Sequence, residues 1–388
     1  MKYDLVTLGE VAEWGSGGTP SRTSPEYYGG DIPWIKTGDL GEKYLNSASE
    51  FITESGLKNS SAKYFPKGSI AIAMYGATIG KTSILNFSTT TNQACAVGIP
   101  NKNIISTEYL YYFIKSQENI FIQKGQGGAQ PNISQALIKE HKIPLPPLPE
   151  QTRIAAILDQ ADKIRQKRRR AAALADEFLR SVFLEMFGDP VSNPKGWEVE
   201  ELGNLSSKIG SGSTPKGGDS AYIDNGISLI RSLNVHDDDF IYRNLAHIDE
   251  IQAEKLKNVI VEKNDVLLNI TGASVARCCI VPDDVLPARV NQHVAIIRLK
   301  EKMLPEFLLS LLISEPMKNL LLKDSGAGAT REALTKQQIQ QLAIITPPLD
   351  KQQHFLKIYQ RINKIKDNQA VEDKDLFQSL SQQFFNPT

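Results

Sequence analysis

The sequence predicts an α+β fold: two homologous domains joined by two long antiparallel coiled-coil helices, with a pseudo-two-fold internal repeat. Three observations predict it. The first is a duplicated passage. Gly68-Ser69-Ile70-Ala71-Ile72-Ala73-Met74-Tyr75-Gly76-Ala77-Thr78-Ile79-Gly80-Lys81 returns as Asn264-Asp265-Val266-Leu267-Leu268-Asn269-Ile270-Thr271-Gly272-Ala273-Ser274-Val275-Ala276-Arg277, an offset of 196 residues between Gly68 and Asn264. Leu8-Gly9 and Leu202-Gly203, Asn92-Gln93 and Asn291-Gln292, and Pro146-Pro147-Leu148 and Pro347-Pro348-Leu349 repeat nearby. A period this long signals a duplicated domain rather than a solenoid. The second observation is that both copies are rich in Gly, Thr, Ser and Asn between short β-like runs. The third is that both end in a proline-rich hinge followed by helical periodicity.

Each element follows from its residues. Segments 69–74 and 265–270 are short apolar runs flanked by turn residues, which predicts buried strands. Segments 107–116 and 305–314 predict helices, one opening after a Thr cap and the other on a proline. The hinges span 143–149 and 344–349. Proline cannot continue a helix ladder and pushes its predecessor to extended geometry, so helices start near Glu150 and Asp350. In the first, Ile154, Ile157, Ala161, Ile164, Arg168, Ala171, Ala175, Phe178 and Val182 step by three or four; in the second, Phe355, Ile358, Ile362, Ile365, Gln369, Leu376, Leu380 and Phe384 do much the same. This is a coiled-coil-like seam. A continuous helix over 150–186 would extend about 55 Å. Neither helix can bury its stripe alone in water, so the two are expected to pair, antiparallel. Arg168 and Gln369 are repeat equivalents that interrupt the stripe, as register-fixing polar residues or as solvated edges.

The chain has 388 residues, 41% hydrophobic and 23% charged, as in an ordinary globular protein of two or three domains. No apolar run approaches a membrane span, and the N-terminus has no apolar signal core. Cys95, Cys278 and Cys279 are too few for a disulfide framework and lack zinc spacing. A cytoplasmic location is expected. Formal net charge is zero, so any nucleic-acid contact must come from a local face rather than bulk charge.

Catalytic motifs fail one after another. Gly76-Ala77-Thr78-Ile79-Gly80-Lys81-Thr82 has three residues between its glycines where a phosphate-binding loop needs four. A strand-ending turn with an exposed cation is the better reading. His141, His236, His247, His293 and His354 are scattered, without metal-ligand spacing. No Ser or Thr sits in a nucleophile elbow. Asp237-Asp238-Asp239 is expected to be a solvated acidic loop. Catalytic and metal residues are therefore expected to be absent.

What remains is a recognition surface. Loops of both copies carry donors able to read phosphates and base edges. The candidates in the first copy are Ser21, Arg22, Lys36, Thr37, Tyr75, Lys81, Gln126 and Gln130; in the second they are Lys216, Arg231, Ser232, Thr271, Ser274, Arg277 and Arg331. Features shared by both copies, such as Asn92-Gln93 and Asn291-Gln292, suit the fold or phosphate contacts. Positions that differ between copies suit base reading: Arg22 against Gly217, Tyr75 against Thr271, Gln130 against Arg331.

At this point the chain resembles the specificity (S) subunits of type I restriction-modification systems. The resemblance rests on Leu8-Gly9-Glu10-Val11 with Gly17-Gly18-Thr19-Pro20, Ile32-Pro33-Trp34-Ile35-Lys36-Thr37-Gly38-Asp39, Tyr75-Gly76-Ala77-Thr78-Ile79-Gly80, Pro144-Leu145-Pro146-Pro147-Leu148-Pro149-Glu150-Gln151 and Phe187-Gly188-Asp189-Pro190. The second copy repeats the order with Thr214-Pro215, Thr271-Gly272-Ala273-Ser274 and Pro347-Pro348-Leu349-Asp350-Lys351-Gln352. It lacks the Pro33-Trp34 pair, having Ser228-Leu229.

The resemblance implies target recognition domains over 1–148 and 190–349, a central spacer helix over 149–189 and a C-terminal spacer helix over 350–388. Each domain would read one half of a split site in double-stranded DNA. Two methyltransferase (M) subunits would dock on the coiled coil and domains, and restriction (R) subunits would join the full complex; no membrane is implied. The chain would bind no cofactor. S-adenosylmethionine would belong to the methyltransferase subunit and ATP/Mg to the restriction subunit. Two other readings stay open here: a scaffold bridging protein partners without DNA, and an S-like subunit of another restriction enzyme type.

Overall fold

The duplicated passage forms the central strand of each domain. Ile70–Ala73 lies in a five-stranded sheet ordered Ala12–Ser16, Cys95–Pro100, Ile70–Ala73, Thr82–Leu85, Tyr44–Leu45. Its counterpart Val266–Asn269 lies in a four-stranded sheet ordered Ser206–Ser211, Val294–Leu299, Val266–Asn269, Cys278–Ile280. These strands read as continuous apolar runs because both faces are covered. Ile70, Ile72 and Ala96 face the helix-side core, whereas Ala71, Ala73, Cys95 and Val97 face a second one. In the other copy Val266, Leu268, Ala295 and Ile297 face one core, and Leu267, Val294 and Ile296 the other. Alternation of side chains along a strand produces this division.

A second sheet recurs in the same order. It runs Glu50–Ile52, Tyr28–Ile35, Thr89–Thr91, Tyr64–Phe65 in the first copy and Ala246–Ile248, Ile227–Ile230, Ala288–Val290, Ile260–Val261 in the second. In both, the second and third strands pair in parallel. A two-stranded ribbon closes each copy, Leu5–Thr7 with Lys142–Pro144 and Val199–Glu201 with Ala343–Ile345.

The computed structural model describes residues 3–125, 132–215, 217–326 and 332–385. The chain forms two compact units, 1–169 with 369–388, and 170–368. Each unit thus contains one part of each long helix. Those helices are Leu148–Phe187 and Leu349–Phe385, beginning one or two residues before the positions expected from the hinges. The two shorter helices expected are present as Thr107–Ser116 and Pro305–Leu312; the cap of the first is Ser106 rather than a Thr, its hydroxyl accepting from the Tyr109 amide at 3.1 Å.

The buried face of the long helices follows the expected stripe only in part: Ile154, Ala161 and Phe355 are buried as expected. Ile164, Phe178 and Ile365 are exposed, at 39%, 51% and 47%. The buried positions include Gln151, Ile154, Ala155, Leu158, Ala161, Asp162, Phe377, Ser381 and Phe385 in the first unit, and Leu179, Phe183, Phe187, Gln352 and Phe355 in the second. The phase departs from it because each helix end packs on the domain of its own compact unit. Phe183 and Phe187 lie against Phe307 and Phe355, with ring centroids 4.9–5.8 Å apart. Phe385 lies against Tyr109 and Phe113 at 5.5 and 5.3 Å.

Contacts between the two helices occur within both units. Arg165 lies 4.9 Å over the Phe377 ring in the first, and Lys366 pairs with Asp176 at 2.6 Å in the second. Arg165 and Lys366 are repeat equivalents, as are Asp176 and Phe377, so this is one contact made twice with donor and receiver exchanged between helices. Gln369 lies outside the described side chains.

Asp237 and Asp238 overturn the solvated-loop expectation. Asp237 pairs with Lys318, while Asp238 accepts from the Tyr359 hydroxyl and lies 3.8 Å from Lys366. Burial pushes the Asp238 carboxyl above its ordinary range, against the opposing pull of Tyr359 and Lys366. This turn is a bracket between a loop and the C-terminal helix. It lacks a sequence counterpart because the first unit places its carboxylates on the helix instead: Asp159 receives Lys43 and the Tyr112 hydroxyl, and Asp162 receives Lys115.

Candidate nucleic-acid interface

Each domain anchors three of its candidate loops on one turn. In the first, the Asn92 amide donates to the Ile35 carbonyl at 3.0 Å, and the Gly18 amide to Thr91 at 2.9 Å. The Thr19 hydroxyl bonds the Gln93 side chain, and the Met74 amide donates to the Ala94 carbonyl at 2.9 Å. The loops at 17–22, 36–37 and 75–81 therefore all start from this turn. The second domain repeats the arrangement: Asn291 to Ile230 at 3.1 Å, Gly212 to Asn291 at 3.1 Å, Thr214 to Gln292, and Ile270 to His293 at 2.9 Å. The shared Asn-Gln pair thus serves the fold.

The glycines of the Gly-x-Thr-Pro loops answer to the same turn. A Cβ on Gly17 would lie 1.9 Å from the Thr91 carbonyl oxygen, and one on Gly212 would lie 1.8 Å from that of Val290. No side chain fits there, so these glycines admit the domain's own backbone. The loop that resembled a phosphate cradle is a 3-10 turn, Gly76–Thr78, repeated as Gly272–Ser274. Gly76 and Gly80 have φ of +63° and +83°, matched by Gly272 at +71° and Ala276 at +66°. Left-handed backbone, not anion binding, explains that glycine spacing.

The structure joins several candidate side chains and leaves others apart. Arg22 and Lys36 converge on Glu50. Arg22 grips it with Nη1 and Nη2 at 2.5 and 3.0 Å, and Lys36 Nζ lies at 2.9 Å. The guanidinium also lies 4.3 Å over the Tyr28 ring and 5.2 Å over Trp34. Hydrogen bonding from Arg22, with Lys36 adding to it, lowers the Glu50 carboxyl to about 2 despite partial burial. The Trp34 indole is fixed by donating to the Gly18 carbonyl at 2.9 Å.

Ser21 shares a hydroxyl hydrogen bond with Thr23 at 2.7 Å, and Thr37 opens a 3-10 turn. Tyr75 is 44% exposed and forms a β-bridge with Asn132. Lys81 is exposed, with no ion-pair partner among the described residues.

In the second domain Arg231 stacks 5.0 Å from the Tyr222 ring and donates to the Asn244 carbonyl at 2.6 Å. Ser232 opens the equivalent 3-10 turn, and its carbonyl accepts from Asn269 at 2.9 Å. Thr271 shares a 2.5 Å hydrogen bond with His293 Nδ1 and bridges Ala333. Ser274 accepts from the Arg277 amide at 3.2 Å, and the half-buried Arg277 side chain has no ion-pair partner among the described residues. Gln126, Gln130, Lys216 and Arg331 lie outside the described residues.

Sequence reading missed Glu50, Tyr28, Tyr222 and His293. Glu50 and Tyr28 reach Arg22 from separate strands, so no local spacing marks them. His293 was visible only as the residue after a shared Asn-Gln pair, where the first copy has Ala94. Among the described residues no cluster of His, Cys, Asp and Glu could hold a metal, and no helix is long and apolar enough to cross a membrane.

Comparison with known proteins places the chain. Residues 2–174 and 194–373 each match the family described as type I restriction modification DNA specificity domain. The chain is 29% identical over 400 aligned residues to the type I restriction enzyme MjaIX specificity subunit of Methanocaldococcus jannaschii, covering 95% of this chain and 88% of that one. It is 35% identical over 169 residues to an Escherichia coli type I restriction enzyme specificity subunit, covering 42% of each. A chain solved in work on assembly and conformational transition of the type I R-M system superposes with a TM-score of 0.54 at 20% identity, covering 99% of this chain and 97% of that one. The S subunit from M. genitalium superposes with a TM-score of 0.52 at 15% identity, covering 99% and 96%. With two matched domains spanning most of its length, the chain belongs to the type I restriction-modification specificity subunit family.

Proposed function

We propose that this chain reads a bipartite site in double-stranded DNA, one half-site through each Asn-Gln turn and the loops gathered on it. The observation that carries this is the same turn made twice with different side chains around it. An identical scaffold holds the loops, and Arg22, Tyr75 and Lys36 are replaced by Gly217, Thr271 and Arg231. Two half-sites of different sequence need that combination. Ser21, Arg22, Lys36, Thr37, Tyr75 and Lys81 are the reading candidates in the first domain, and Arg231, Ser232, Thr271, Ser274 and Arg277 in the second. Gln126, Gln130, Lys216 and Arg331 remain candidates by sequence. Exposed Lys81 suits a phosphate, whereas the oriented Arg22 suits a base edge.

The two long helices act as an antiparallel coiled-coil spacer between domains over 1–148 and 190–349, setting the distance between half-sites. The repeated Arg165–Phe377 and Lys366–Asp176 contacts support that pairing. The chain carries no catalytic residue and no cofactor. Two methyltransferase subunits, bearing S-adenosylmethionine, dock on the helices and domains; restriction subunits bring ATP/Mg chemistry. The complex works in the cytoplasm, where its DNA is.

Equilibrium binding of the chain with its methyltransferase partner to duplex DNA, as a function of salt, tests this. The expected result is a steep fall in affinity with salt and a strong preference for one bipartite sequence. Salt-insensitive binding without sequence preference would favour a protein scaffold.

A further inference from the structure

We infer that Glu50 is a specificity-determining positioning residue: it orients Arg22 to read one base pair of the first half-site, and its charge keeps that arginine from acting as a general phosphate clamp. The inference rests on the DNA-reading function proposed above and adds a residue and a role to it.

The geometry is that of a held reader. A guanidinium has five N–H donors in a rigid fork. Glu50 occupies the Nη1–Nη2 end with two of them, and among the described residues no acceptor engages Nε. One edge is therefore fixed and the Nε edge is left open, while the guanidinium also lies over the Tyr28 and Trp34 rings. Trp34 is itself buried and hydrogen-bonded to Gly18, so the platform belongs to the same turn-anchored scaffold as the loop. The Arg22 side chain remains 54% exposed. An arginine free to rotate follows the nearest phosphate; one held by a carboxylate and stacked on two rings presents a fixed donor pattern, which is what discrimination in the major groove requires.

Charge works in the same direction. Glu50 also holds Lys36, so two cations and one carboxylate leave a net single positive charge at this spot. Losing the carboxylate would free both cations for phosphate contacts. The second domain supplies the contrast. In the strand register Glu50 faces Trp34, and Ala246 faces Leu229 at the corresponding place. Arg22 is replaced there by Gly217, and the cation of that region, Arg231, bonds a carbonyl and stacks on Tyr222. The device is confined to one domain, so its effect is confined to one half-site.

The test uses the full complex with its methyltransferase partner and duplexes carrying the mapped methylation site, each base pair of both half-sites replaced in turn. Arg22→Ala should lower discrimination at one position of the first half-site on the order of tenfold to a hundredfold. Glu50→Gln should lower it several-fold at that same position, tighten binding to unrelated DNA, and steepen the salt dependence by about one phosphate contact. Thermal unfolding of Glu50→Gln checks that the domain still folds, and Glu50→Asp, a shorter carboxylate, should restore part of the discrimination. Unchanged discrimination at every position in Glu50→Gln would overturn the inference, as would loss in both half-sites alike. A wild-type complex with no site preference would instead overturn the recognition reading on which it rests.

Discussion

Gln151 and Gln352 make the same three hydrogen bonds in the two halves of the chain. Gln151 Oε1 accepts from the Ser106 amide at 2.8 Å, and its Nε2 donates to the Ile104 and Pro146 carbonyls at 2.9 and 2.8 Å. Gln352 Oε1 accepts from the Leu304 amide at 2.9 Å, and its Nε2 donates to the Lys302 and Pro347 carbonyls at 3.3 and 2.8 Å. Both are buried, so each amide ties the first turn of a long helix to the loop before a domain helix. The repeated unit is therefore a domain tied to the first turn of its own long helix.

Gln151→Ala should destabilise the first unit by about 2–4 kcal/mol, since each buried polar group left unpaired costs about 1–3 kcal/mol. Gln352→Ala should do the same to the second unit. Glu at either position should be worse, because a carboxylate would face two carbonyls. Hydrogen exchange at Ser106 and Leu304 in the two variants reports which unit loosens.

Asp162 should tolerate change poorly. Its side chain is 3% exposed and receives Lys115 at 3.0 Å and Arg165 at 2.6 Å. Asp162→Ala leaves two partly buried cations uncompensated and should cost about 3–5 kcal/mol. Lys115→Met should cost less, because Arg165 still pairs with the carboxylate. Denaturant unfolding of both variants ranks them.

Acid should weaken the Arg22–Glu50 clamp in a defined window. The Glu50 carboxyl falls from 4.5 to about 2 on folding, chiefly through the Arg22 hydrogen bond. A lowered carboxylate means the unfolded chain takes up the proton first as pH drops. The stabilisation is thus complete above pH 4.5 and is lost as pH falls toward about 2. Melting temperatures of wild type and Glu50→Gln should differ at pH 6 and converge across that range.

Gln93→Leu and Gln292→Leu should each release one loop, by removing the acceptor for Thr19 or Thr214. The expected effect is weaker binding to the first half-site alone in Gln93→Leu, and to the second alone in Gln292→Leu. Competition between duplexes altered in one half-site measures this.

Much of this was legible in the chain itself. The duplicated passage marked both central strands, because a strand covered on two faces must be apolar throughout, as Ile70–Ala73 and Val266–Asn269 are. The paired hinges located the long helices for the same reason that proline stops a ladder. The buried phase of those helices was legible only in part, at Ile154, Ala161 and Phe355. Periodicity groups Ile164 with Phe178, but the partner face at each end is a domain, and Gln151 and Asp162 are buried there in place of apolar residues. Asp237 and Asp238 misled in the same way, since their partners Lys318, Tyr359 and Lys366 lie more than a hundred residues away in part. Candidate loops were found from donors and glycines, yet Glu50 escaped because a carboxylate on a strand carries no local sign of the arginine it will hold.

On the proposed function, each domain reads one half-site and the helices keep the two apart. Replacing residues 1–148 with the corresponding domain of another specificity subunit, then mapping methylated bases genome-wide, tests it most directly. The expected result is a new first half-site, an unchanged second half-site and an unchanged spacer. Alteration of both half-sites, or of the spacer with the helices untouched, would contradict it.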